Sequence, residues 1–161
     1  MNFEDAARED KILTPPPARD EAAPHQVSHG KVWHRISAEP GYLKAELFGR
    51  QTADETRKFL EALHAAALEH RRARILVCVR NSKPIFTVER YGISRYLDIA
   101  FKSAYKIALM GDTPELRIAH QYIAMLAVMR GVDLRTFQDE IVAIEWLIRS
   151  GDTPSQGRAR P

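Results

Sequence analysis

Two rhythms of apolar and polar residues run along this chain, one of period two and one of three to four, and together they predict its elements. Val32-Trp33-His34-Arg35-Ile36 and Tyr42-Leu43-Lys44-Ala45-Glu46-Leu47-Phe48 read as strands, with Pro40-Gly41 between them as the turn of a hairpin. Thr52-Ala53-Asp54-Glu55 has the spacing of a capping box and opens a helix. Its stripe of Phe59, Leu60, Leu63, Ala66 and Ala67 runs to about His70. The unbroken apolar run Ile75 to Val79 predicts a strand covered on both faces, at the centre of a parallel sheet.

The helical rhythm returns at Ile93, Tyr96, Leu97, Ala100 and Phe101, and Tyr105 to Met110 is the next strand. Thr113 as N-cap, Pro114 at the first helical position and Glu115 behind it start a third helix. Leu116, Ala119, Ile123, Leu126 and Ala127 form its stripe, and Gly131 is placed to cap its end. Leu134 to Phe137 is short enough for an edge strand. Asp139 then caps a last helix bearing Ile141, Val142, Ile144, Trp146, Leu147 and Ile148.

The predicted fold is a single α/β domain in the order β-β-α-β-α-β-α-β-α. Its five-stranded sheet is mainly parallel, with an antiparallel N-terminal strand. The domain is expected over residues 31–150. Residues 1–30, with Pro15-Pro16-Pro17 and few large apolar side chains, and the Pro- and Gly-containing residues 151–161 are expected to be disordered tails. A length of 161 residues with 45% hydrophobic content suits one such domain.

Charge and chemistry narrow the function by exclusion. The net charge of +3 is spread along the chain, and its densest cluster, His70-Arg71-Arg72-Ala73-Arg74, falls at a helix end where cations suit the dipole, so no nucleic-acid partner is expected. No run approaches the roughly eighteen apolar residues of a membrane span. Met1 to Asp5 lacks a signal-peptide start, and the lone Cys78 lies mid-strand, so a soluble cytoplasmic protein is expected. There is no Gly-rich phosphate loop, no metal-ligand spacing and no Gly-x-Ser-x-Gly elbow, so no catalytic residue, cofactor or metal is assigned. His64 and His120 beside helical stripes read as hydrogen-bonded boundary histidines. In parallel α/β folds the loops at the carboxyl ends of strands form the functional rim. That rim should gather Arg50, Arg80, Asn81, Ser82, Lys83, Asp112 and Thr113, the candidate binding residues.

Three segments carry a family likeness: Ala45-Glu46-Leu47-Phe48-Gly49-Arg50-Gln51-Thr52, Lys106-Ile107-Ala108-Leu109-Met110-Gly111-Asp112, and Phe137 to Leu147 with its acid after the last strand and its Trp146-Leu147 pair. Taken with the element order, they resemble the SpoIIAA-like superfamily, which includes STAS domains and CRAL-TRIO-type lipid carriers, and look most like its bacterial SpoIIAA-like branch. The resemblance implies sequentially placed strands with helices packed over them. It also implies a phosphorylated Ser after the third strand that controls partner binding. Arg80-Asn81-Ser82-Lys83-Pro84 departs from that motif, which leaves Ser82 and Ser94 as the candidate phosphorylation hydroxyls. The expected function is a non-enzymatic regulatory or protein-interaction domain that binds a protein partner or itself as a homodimer. The alternative is a small-ligand or lipid-binding module, with Ile85, Phe86, Ile93, Tyr96 and Phe101 near the rim as its apolar residues.

Overall fold

Glu39 pairs with Tyr42 across Pro40-Gly41, and Gly41 makes that turn at φ +89°, where a side chain would be strained. The turn joins β2 (Val32–Glu39) to β3 (Tyr42–Phe48) in the expected hairpin. The computed structural model describes residues 25–29 and 32–149. From β3 onward the sheet is parallel through β4 (Arg74–Arg80), β5 (Lys106–Gly111) and β6 (Asp133–Phe137). The four helices of the described residues are α1 (Ala53–His70), α2 (Ile93–Lys102), α3 (Pro114–Met129) and α4 (Glu140–Ile148).

The expected order of strands and helices is therefore present from Val32 onward, with one addition. A further strand, β1 (His25–His29), pairs antiparallel with β2, from His25 against Ile36 to His29 against Val32, and the sheet becomes six-stranded in the order β1-β2-β3-β4-β5-β6. This corrects the expectation that everything before residue 31 is tail. His25–His29 carries little apolar alternation, and backbone pairing to an open sheet edge needs none. The other residues of the two expected tails lie outside the described residues.

Caps set the helix ends as their sequences dictate. Glu55 N–H donates to Thr52 Oγ1 at 3.2 Å while Thr52 N–H donates to Glu55 Oε1 at 3.0 Å, which completes the capping box of α1. Leu116 N–H donates to Thr113 Oγ1, and Asp139 Oδ1 accepts from Ile141 N–H and Val142 N–H. Beyond α3, Gly131 turns left-handed and Val132 N–H reaches back to Ala127 O at 2.9 Å.

The sheet is covered twice. Leu43, Ala45 and Leu47 of β3, Ile75, Val77 and Val79 of β4, and Ile107 and Leu109 of β5 face α1, α2 and α3 in the larger core. The alternate residues Leu76, Cys78 and Ala108, with Tyr42, face Ala143, Trp146 and Leu147 of α4. Lys106 Nζ lies 4.5 Å from the Trp146 ring centre and donates to Trp146 O at 2.7 Å, and the Arg135 guanidinium lies 4.9 Å from the same ring. Cations thus hold α4 to the start of β5 and the middle of β6. No helix among the described residues is long and apolar enough to cross a membrane.

Because Leu147 is fully enclosed, Leu147→Ala is expected to cost about 2–5 kcal/mol in urea unfolding. Ile141→Ala, on the same helix at 68% exposure, should change stability by no more than about 0.5 kcal/mol. Equal losses would refute this packing of α4.

Candidate functional site

The loops that leave the carboxyl ends of β3, β4 and β5 meet, and Arg50 laces them together. Arg50 N–H donates to Ser82 Oγ at 3.0 Å, Lys83 N–H donates to Arg50 O at 3.0 Å, and the Arg50 guanidinium Nη2–H donates to Lys83 O. Ser82 Oγ–H donates to Arg80 O at 2.8 Å, and Gly49 N–H donates to Arg80 O at 3.0 Å. Asn81, at φ +47°, sends its N–H to both Asp112 carboxylate oxygens at 3.1 and 3.2 Å. Arg80 pairs with Glu46 at 3.2 Å. The structure thus brings together Arg50, Arg80, Asn81, Ser82, Lys83 and Asp112. Thr113 serves as the cap of α3. Ser94 stands apart in the first turn of α2, where its Oγ accepts from Arg130 Nη2–H at 2.9 Å.

Most of these groups satisfy the backbone of their own loops, but the Arg50 side chain does something further. It turns under the helices and is only 3% exposed. There it lines a cavity of about 80 Å³ between the sheet and α1, α2 and α3, walled by Leu47, Phe59, Leu63, Val77, Val79, Ile85, Ile93, Leu109 and Ile123 among others. Four buried polar atoms on lining residues have no hydrogen-bond partner: Arg50 Nε, Thr56 Oγ1, Tyr96 OH and His120 Nδ1. Thr56, in the first turn of α1, and His120, in the second turn of α3, are 3% and 4% exposed. Both helices begin after strand carboxyl ends, and the Arg50 charge acts on His120. The Tyr96 ring lies 6.3 Å from that of Tyr105, which precedes β5.

Gly111 makes room for His120. A Cβ there would stand 3.0 Å from His120 Cε1 and 3.1 Å from Nδ1, so the imidazole lies against bare backbone at the end of β5. Burial first, and the Arg50 charge second, pull the His120 pKa down to about 4, so the ring is neutral at neutral pH. Burial also lowers Arg50, to about 10, opposed by Tyr91 and Glu55, and the guanidinium stays charged. No Asp or Glu of the described residues lies within ion-pair distance of it. Burial raises the phenol pKa of Tyr96, with Tyr105 adding to the effect.

Two outer recesses adjoin the cavity. A groove of about 320 Å³ between α1 and α2 shares Leu60 and Tyr96 with it, and a polar cleft of about 290 Å³ holding Arg117, Gln121, Thr136 and Gln138 shares Leu109 and His120. Of the apolar residues expected near the rim, Ile85, Ile93 and Tyr96 line the cavity, whereas Phe86 and Phe101 face outward. His64 Nδ1 is 2.8 Å from Tyr105 OH, as suits a hydrogen-bonded boundary histidine. His120 departs from that expectation: it lies inside, with Nδ1 unpartnered. The signal was present in the spacing, since Thr56 and His120 fall on the core stripes of their helices, one turn from Phe59 and Leu116. Among the described residues no cluster of three or more His, Cys, Asp or Glu side chains is arranged to hold a metal ion. No protein-family model matches the chain, and no curated protein matches it either.

Because the folded-state pKa of His120 is depressed, the unfolded chain binds more protons between its ordinary value of 6.5 and about 4. The native state therefore keeps its full stability above pH 6.5 and loses roughly 3 kcal/mol through this residue as pH falls to 4. Urea unfolding across that window should show His120→Gln losing correspondingly less than the natural protein. Parallel pH profiles would refute the burial of a neutral imidazole.

Proposed function

We propose that this domain is a non-enzymatic regulatory module that binds a small organic ligand in the cavity between its sheet and α1, α2 and α3. The observation that carries this reading is the set of four buried polar atoms without partners in an otherwise apolar enclosure. Each such atom costs about 1–3 kcal/mol. Together they take up a large share of the roughly 5–15 kcal/mol by which a domain is stable. A ligand that bonds to them recovers that energy on binding. The likeness to CRAL-TRIO-type carriers points the same way, and α2 lines the cavity with Ile93, Tyr96 and Leu97.

Several features favour binding without catalysis. Asp112 and Asp139 are engaged by backbone N–H groups, and Ser82 Oγ is bonded on both sides. The buried Cys78 thiol is pushed up to about 11 by burial first, which makes it a poor nucleophile. An unpaired buried thiol also suits a reducing cytoplasm.

A second reading, a STAS-like domain that binds a protein partner or its own copy, is favoured by the apolar residues Ile141, Val142 and Ile148 that α4 presents to the outside. In that case Ser82→Ala and Lys83→Ala should weaken capture of the partner through the adjoining rim.

The ligand reading is tested by methyl NMR of the full chain against a panel of small organic acids, alcohols and amines. Saturable shifts at Leu47, Val79 and Ile123 are expected from at least one class. Their absence with every class would end this reading and leave the protein-interaction one.

A further inference from the structure

Arg50 carries a positive charge into an apolar interior, and no carboxylate of the described residues pairs with it. A buried charge without a counter-charge is among the most costly arrangements in a protein, so the missing partner is an anion. The guanidinium holds the loop through Nη2–H to Lys83 O, and its Nε–H is a fully buried donor without an acceptor. Arg Nε only donates, and a Thr hydroxyl and a neutral imidazole can each donate as well. Arg50, Thr56 and His120 thus each bring a buried polar atom without a partner to the cavity lining.

The remaining wall says how much charge and how much body the anion has. The described lining offers one permanently charged cation, Arg50, in a wall that is otherwise mostly hydrocarbon, which matches a monoanion better than a dianion such as phosphate. The other walls are hydrocarbon, and a volume of about 80 Å³ is smaller than the roughly 150 Å³ cavity that takes a benzene ring. We infer that the cavity binds a short-chain monocarboxylate, whose oxygens accept from Arg50 Nε–H, Thr56 Oγ1–H and His120 Nδ1–H. Its tail lies against Phe59, Leu63 and Val79. This inference rests on the ligand-binding reading and names the ligand's class. Arg50 also bonds to the Ser82 and Lys83 loop, so an occupied cavity is linked to the surface by a single side chain.

The test is calorimetric titration of the full-length protein with sodium butyrate, n-butanol, n-butylamine and sodium sulfate. Butyrate is expected to bind saturably and at least ten-fold more tightly than butanol, and butylamine not at all. Arg50→Met should weaken butyrate by about ten- to a hundred-fold, the scale of a hydrogen bond to a charged group. Thr56→Val separates a lost site from a lost fold. It should weaken butyrate about three- to ten-fold while the melting temperature of the free protein stays level or rises, because Oγ1 has no bond to lose. Butanol binding as well as butyrate would overturn the carboxylate and leave the ligand reading standing. Sulfate binding as tightly as butyrate would overturn the monocarboxylate class. No binding by any compound, with crystals grown in butyrate showing ordered water alone in the cavity, would overturn both.

Discussion

Ile75, Leu76, Val77, Cys78 and Val79 form a strand with no polar side, and the rest of the domain is arranged to keep water from both of its faces. Parallel neighbours on either side satisfy its backbone, since β3 and β5 both run with it. Its odd-numbered side chains require one helical layer and its even-numbered ones another, which α1, α2 and α3 supply on one face and α4 on the other. Parallel pairing in turn sends the loops after β3, β4 and β5 to a common end, and this is why Arg50, Asn81, Ser82 and Asp112 can meet although they are far apart in sequence.

The two helical layers are unequal in what they enclose. Under α4, Trp146 and Leu147 cluster with Leu76 and Ala108, the Lys106 and Arg135 cations lie over the Trp146 ring, and one buried donor, Trp146 Nε1, is without a partner. Under α1, α2 and α3 the layer arches over a void that contains polar atoms. A domain that spends stability on unpaired buried donors is under-optimised as a scaffold, and such local conflicts concentrate where function requires them.

Arg50 joins the rim to the cavity. Its backbone and Nη2 are part of the lacing that shapes the rim, while its Nε belongs to the interior. One residue therefore answers to both the surface loop and the cavity. A change of charge on the inner side has a short hydrogen-bonded path to Ser82 and Lys83 outside.

Much of the architecture was legible in the chain. The capping box at Thr52, the N-caps at Thr113 and Asp139, the stripes that follow them and the all-apolar run at Ile75 to Val79 are local patterns, and local patterns are enough to assign elements and their order. The gathering of the rim residues followed from parallel topology alone. The pairing of His25–His29 with β2 was not legible, because an edge strand is held by backbone groups that every sequence carries. Nor was the cavity. Thr56 and His120 on apolar stripes are compatible with a satisfied hydrogen bond or an unsatisfied one, and only packing decides which partner comes within reach. Periodicity records which face of a helix turns inward. It carries no information on how closely two faces approach, and the space left between them is what makes Arg50, Thr56 and His120 a candidate site.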